Sequence, residues 1–162
     1  GVLANNRIDT KFICIEASKK NYEKLIKLKK ILPQRGNEYI LLNKAIAYGV
    51  SHIHFEHTST VGSKITNDNK KSNTSNIVPA ITLSEILNQN AIKDSYTLIT
   101  DIEGAEAEIF FKDKIALKTC EKIIAELEDT STYTVNEQIS ELNKLGFKIF
   151  ESYGNVVVMT KY

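Results

Sequence analysis

Cysteine is scarce in this chain: two in 162 residues, Cys14 and Cys120. Each stands inside or beside an apolar run, so they read as lone thiols in a reducing compartment, not as a disulfide pair. Long apolar runs are missing too. None approaches the roughly 20 residues that cross a bilayer, and the opening GVLANNRIDTKF has neither a basic start nor the apolar core of a signal peptide. The expectation is a cytoplasmic protein with no membrane partner. Charge of one sign is also lacking. Lys and Arg number 21 against 20 Asp and Glu, a formal net charge of +1, so no global field favours nucleic acid. There is no Gly-x-Ser-x-Gly elbow, no Walker sequence and no Cys-x-x-Cys pair, which leaves hydrolase and NTPase readings without a nucleophile or a phosphate loop. No complete glycine-rich loop precedes a helix, and no repeat or second domain is visible.

What is present is a globular composition, 42% apolar and 25% charged, sized for one domain over residues 1–162. KFICIEAS (Lys11 to Ser18) is too short for a typical helix and reads as a buried strand. A helix follows, with Ser18 as N-cap, Tyr22, Leu25, Ile26 and Leu32 at helical spacing, lysines opposite, and Pro33 and Gly36 as its stop. EYILLNKAIAYG (Glu38 to Gly49) is a second buried-strand candidate. SHIHFEHTS (Ser51 to Ser59) alternates like a half-exposed strand. Ser63 to Asn76 is polar, with little to bury, and reads as a mobile surface loop. Thr82 and Glu85 form a capping box that opens a short helix. YTLITDIE (Tyr96 to Glu103) is a third buried strand, and the pattern turns helical after Gly104. EKIIAELE (Glu121 to Glu128) is a fourth. A Thr134/Glu137 capping box starts a helix with Val135, Ile139, Leu142 and Leu145 on one face and Gly146 as its stop. The chain closes as two strands joined at Tyr153-Gly154-Asn155, an antiparallel hairpin. Strands alternating with helices predict a doubly wound α/β fold: a mostly parallel Rossmann-like sheet with that hairpin at its end.

In open parallel sheets ligands sit beyond the carboxyl ends of the strands. Three predicted strands end in acids: Glu16, then Asp101 with Glu103, then Glu126 with Glu128. If the sheet assignment holds, these acids gather along one edge. Glu16 could accept hydrogen bonds from both ribose hydroxyls of a nucleotide, or simply mark where a strand reaches water. Asp101 and Glu103 flank Ile102 and would point the same way in an extended segment. They could serve as a general base and its partner or hold a divalent cation. The alternative is a helix N-terminus, where acids are favoured by about 0.3–1 kcal/mol each. Glu106 and Glu108 suit that alternative; Asp101 precedes the helix and suits it less. His52, His54 and His57 invite a metal reading. His57 falls on the other parity, however, and no neighbouring cysteine or Glu-x-x-His pattern supports it, so no metal site is expected.

The stretch VPAITLSEILNQNAIKDSYTLITDIEGAEAEIF (Val78 to Phe110) resembles the signature of FkbM-type methyltransferases: a Val-Pro, a Thr-Leu opening a short helix, a spacer, then an apolar strand ending Asp-x-Glu-Gly-x-Glu. FICIEASKKNYEKL resembles the family's second strand, whose terminal acid binds the ribose of S-adenosylmethionine, and LLNKAIAYG its third strand and following loop. Thr100 stands where the family often has lysine. GVLANN looks like the tail of the family's glycine-rich loop. By that resemblance Gly1 is the loop's last glycine, the first strand is missing, and the 162 residues are an N-terminally truncated piece of a longer protein.

The resemblance implies methyl transfer from S-adenosylmethionine to a hydroxyl of a sugar, glycan or small metabolite. Glu16 would hold the ribose, Gly1 and the backbone near Ala17 and Ala45 would line the cofactor cleft, and Asp101 with Glu103 would be the catalytic acids, with Glu106 able to complete the acidic pocket. Glu103 could instead only shape the turn. A second expectation of another class is a non-catalytic remnant that retains the fold and binds a partner or nothing.

Overall fold

A computed structural model describes residues 9–32, 36–55 and 76–161. The chain divides into two compact units, Gly1–Ile46 with Val50–Ala80 and Ala47–Gly49 with Ile81–Tyr162.

The first unit opens with β1 (Lys11–Ile15), α1 (Lys19–Ile31) and β2 (Glu38–Leu42). A helix between two strands lets them run parallel, and β1 and β2 do so in register from Lys11↔Glu38 to Ile15↔Leu42. Neighbouring Phe12 and Tyr39 stack at 5.3 Å and 9°, and Lys11 and Glu38 are 3.3 Å apart. The Ser18 hydroxyl accepts from the Asn21 N–H at 3.4 Å, as its N-cap role requires. α1 lies against β2: the Tyr22 hydroxyl donates to the Leu41 carbonyl at 3.4 Å and Lys29 Nζ to the Tyr39 carbonyl at 2.6 Å. No residue of α1 is fully buried.

β3 (Ala45–Ile46), β4 (His52–Phe55) and β5 (Asn76–Ile81) form a second sheet in the order β3-β5-β4. β4 and β5 are antiparallel, and the pair Ile53↔Val78 supplies the buried face. His52 and His54 are exposed, as alternation leads one to expect.

The second unit carries α2 (Leu83–Gln89), β6 (Tyr96–Thr100), α3 (Glu106–Lys112), a 3₁₀ turn (Ala116–Lys118), β7 (Cys120–Glu126), α4 (Val135–Lys144), β8 (Phe147–Tyr153) and β9 (Val156–Lys161). Its four strands run in the order β6-β7-β9-β8, with β6/β7 parallel and β7/β9 and β8/β9 antiparallel. The hairpin turns at Gly154, φ 56°, a conformation that favours glycine. Both capping boxes are formed, Thr82 with Glu85 and Thr134 with Glu137. Phe110, Leu117, Ile123, Leu127, Leu142, Phe147 and Met159 are almost wholly buried. At about 1.5–3 kcal/mol per large apolar side chain, this core is the main stabilising term of the unit.

The described strands therefore make a mixed α/β fold, and several expectations need correction. Glu38 to Gly49 is two short strands, not one. The break is at Asn43, whose side-chain amide donates to the carbonyls of Glu16 at 2.8 Å and Ala17 at 3.1 Å. β5 is a strand that no sequence pattern signals, and Asn76 opens it at the end of the polar stretch. The rest of that loop, together with Pro33 and His57, lies outside the described residues. β6 is not buried on both faces, since Ile99 is 55% exposed. The inward face of α4 includes Gln138 and Glu141 beside Leu142. Gln138 Nε2 donates to the Glu128 carbonyl at 2.7 Å, while Glu141 accepts from Lys114 and from Lys144, the latter at 2.9 Å. Cys14 and Cys120 are both free, and burial pushes the Cys120 thiol up to about 11.

Asp113 ties the start of α2 to the end of α3. Its carboxylate accepts from the Ser84 N–H at 2.8 Å, from the Ser84 hydroxyl, and from the Tyr48 hydroxyl at 3.1 Å. The group is buried, so removing it strands three donors. Asp113→Ala is expected to lower unfolding free energy by about 2–4 kcal/mol, read from urea denaturation with an unchanged slope.

Candidate active site

Parallel register fixes which residues leave a sheet together. In β6/β7 it runs Ile99↔Ile124 and Thr100↔Ala125, so Asp101 and Glu126 emerge side by side at the carboxyl edge. Beyond β6 the backbone turns through two left-handed residues, Glu103 (φ 57°) and Gly104 (φ 91°). Beyond β7 it continues through buried Leu127 to Glu128. Asp101, Glu103, Gly104, Glu126 and Glu128 line one open depression in the second unit.

The turn is held by an acid that does not line the depression. Glu106, 1% exposed, reaches back from the first turn of α3. It accepts from the Ile102 N–H at 2.5 Å and the Gly104 N–H at 2.8 Å. Burial raises its pKa above the ordinary 4.5. Its backbone hydrogen bonds oppose that rise, and the charge on Asp101 adds to it. The expectation that Glu106 completes the acidic pocket is thus corrected: its carboxylate is committed to the turn. Glu108 is paired with Lys112 at 2.6 Å along the helix. Of four acids in eight residues, two are absorbed structurally, and Asp101 and Glu103 stay at the rim.

The segment 129–134 follows Glu128, and its Thr130 lies near Gly104. Thr130 and Tyr133 close it with a backbone hydrogen bond of 2.9 Å, and the Thr130 hydroxyl donates to the Tyr133 carbonyl at 3.0 Å. Asp129 accepts from the Val135 N–H at 2.7 Å, and Tyr133 stacks on Phe111 at 3.9 Å and 6°. A Cβ on Gly104 would meet Thr130 Cγ2 at 3.2 Å, so a larger residue at 104 would make the Thr130 side chain give way. No spacing in the sequence pointed to Thr130 or Tyr133. The lining carries four carboxylates and, among the described residues, no basic side chain. Such a surface draws a cationic group. The Thr100 hydroxyl, just before Asp101, is buried and without a partner.

The other predicted site residues belong to the first unit. Glu16 leaves β1 with its N–H donating to the Leu42 carbonyl at 3.0 Å. Its Oε1 accepts from the Ser18 N–H at 2.7 Å. Ala17 follows it, and Ala45 is buried in β3. Gly1 lies outside the described residues. Among those described, no group of three or more His, Cys, Asp or Glu side chains is arranged to hold a metal.

An α/β chain whose parallel strands deliver acids to one edge is consistent with a methyltransferase-type fold. The methyltransferase FkbM domain family matches residues 6–149, across most of the length, and the chain belongs to that family. No curated protein and no solved structure matches it.

Glu106 gives a pH signature. Because its folded-state pKa is raised, the folded state holds that proton to higher pH than the unfolded state does. Its contribution is greatest below the ordinary carboxylate range and falls as pH rises through the raised value. Glu106→Gln keeps one acceptor and presents an amide N–H to the other donor, so it is expected to cost about 1–3 kcal/mol at acidic pH. The difference between wild type and variant is expected to shrink from pH 4.5 towards 7 in urea unfolding followed across that range.

Proposed function

We propose that the protein is an O-methyltransferase that uses S-adenosylmethionine and acts on a hydroxyl of a sugar, glycan or small metabolite. The observation that carries the reading is the β6/β7 register, which sets Asp101 and Glu126 on one edge with Glu103 and Glu128 beside them, in a chain of the FkbM family. We read residues 1–162 as one methyltransferase domain. We read the fold as of the doubly wound, mostly parallel Rossmann-like class with the β8/β9 hairpin at its end. A cytoplasmic location fits the two free thiols.

The donor chemistry of the residues suits the cofactor. A sulfonium carries positive charge, and the depression at Asp101 offers four carboxylates. Ribose hydroxyls need an acceptor, and the Glu16 carboxylate is anchored through Oε1 alone among its described contacts, with Oε2 left over. When bound, S-adenosylmethionine supplies an activated methyl group. Glu16 would orient the ribose, and the backbone at Ala17, Ala45 and Gly1 would border the cofactor. Asp101 would accept the proton of the acceptor hydroxyl or orient that hydroxyl for in-line attack. Glu103, held at positive φ, would keep the acceptor side of the depression negative. The alternative, a fold that binds without turning over, shares every one of these residues, so binding and transfer must be measured apart.

Titration calorimetry of the full chain with S-adenosylmethionine is expected to give heat, and Glu16→Gln to weaken binding by roughly 10-fold or more. Asp101→Ala is expected to leave binding and the melting temperature nearly unchanged while lowering transfer of labelled methyl to a hydroxyl acceptor by about 10²–10⁴-fold. Absence of heat with the wild-type chain would overturn the enzyme reading. Equal loss of melting temperature and turnover in Asp101→Ala would make that residue architectural.

A further inference from the structure

The net charge of +1 hides a division. Of the 21 Lys and Arg, 13 fall in the first unit, together with only 6 of the 20 Asp and Glu. The described concentration of that charge is α1, with lysines at 19, 20, 24, 27, 29 and 30 against a single acid, Glu23. At 100° per residue, Tyr22, Leu25 and Leu28 share the face turned to the sheet, and Lys29 joins them by donating to the Tyr39 carbonyl. The remaining five lysines occupy the opposite arc, all exposed. Lys24 donates to Asn21 at 3.1 Å. Lys19, Lys20, Lys27 and Lys30 form no ion pair with a described residue. The one acid, Glu23, is exposed within the same arc, Ile31, 79% exposed, sits among the lysines, and Ile26, 39% exposed, borders them.

The chemistry of this arc selects a partner. It has no arginine fork and no aromatic ring, so it has nothing with which to read or stack bases. A soluble polyanion would reward the ammonium groups and gain nothing from the isoleucines. A bilayer interface rewards both: ammonium heads reach the phosphates while their stems and the isoleucines enter the acyl boundary. Among the described residues no helix is long and apolar enough to cross a membrane. α1, with its 13 residues spanning roughly 20 Å, would lie in the interface plane.

We propose that the outward face of α1, Lys19, Lys20, Lys24, Lys27 and Lys30 with Ile26 and Ile31, docks on a bilayer surface rich in anionic phospholipid. The inference is independent of the methyl-transfer reading.

The test is co-sedimentation of the full chain with phosphatidylcholine vesicles, with and without phosphatidylglycerol. The chain is expected to sediment only with the anionic vesicles and to be released at about 0.5 M salt, where screening is short-ranged. Changing Lys20, Lys24, Lys27 and Lys30 together to Gln is expected to lower partitioning on the order of 100-fold, and changing them to Arg to preserve it. Ile31→Ser, which leaves the charge intact, is expected to lower it roughly 5-fold. Far-UV circular dichroism checks the fold of each variant. Should the four-Gln chain fail to fold, the four-Arg and Ile31→Ser chains still decide. Failure of the wild type to sediment with anionic vesicles would overturn the proposal, as would full retention of binding by a folded four-Gln chain. Release by heparin combined with no effect of Ile31→Ser would assign the face to a soluble polyanion and overturn it too.

Discussion

The turn after β6 depends on one buried carboxylate. α3 has only seven residues, and its N-cap, Ala105, offers no side-chain acceptor. Glu106 takes over that task from inside the helix, reaching back to the N–H groups of Ile102 and Gly104. Two backbone donors at a helix start would otherwise face the interior unpaired. Their satisfaction carries a desolvation cost, visible as the raised pKa. The geometry that results is specific. With those two N–H groups drawn inward, Glu103 and Gly104 adopt positive φ, and the chain leaves the strand with Asp101 and Glu103 outward.

The crowding of acids in Asp101 to Glu108 then has a physical resolution. Like charges in so short a segment repel, and the structure separates them by environment. Glu108 is neutralised along the helix by Lys112. Glu106 is surrounded by backbone dipoles. Asp101 and Glu103 remain beside Glu126 and Glu128, where solvent and any bound cation moderate the repulsion. A segment kept purely for helix capping would need one acid, not four, and the surplus lies where the strand edge opens.

What could be read in the sequence was whatever is local. Ser18, Thr82 with Glu85, and Thr134 with Glu137 signal helix starts within three or four residues, and all three form the predicted bonds. The strands ending at Asp101 and Glu126 were readable as apolar runs stopped by acids. What escaped depends on partners distant in the chain. The Asp113 carboxylate meets Tyr48, 65 positions away, and Ser84, 29 away, and no periodicity announces either. Thr130 bears on Gly104 only because a Cβ at 104 would come within 3.2 Å of its Cγ2. The face of α4 differs from its apolar pattern because Gln138 and Glu141 are buried with partners, the Glu128 carbonyl and the exposed Lys114 and Lys144, and a buried polar group is tolerated when it is hydrogen-bonded. The break at Asn43 was missed for the same reason: a side-chain amide replaced the backbone ladder.

Net charge was the least informative of the sequence measures. It bears on a long-range field and nothing else, because at physiological ionic strength fields decay over about 8 Å. Within that distance the five outward lysines of α1 act on whatever approaches them, and the carboxylates around Asp101 act on what approaches theirs. A chain that is nearly neutral in sum can therefore present a cationic helix and an anionic depression at once, each with its own class of ligand. A net charge near zero leaves no charged surface only when charge is evenly spread, and here the division of acids and bases between the two units breaks that condition.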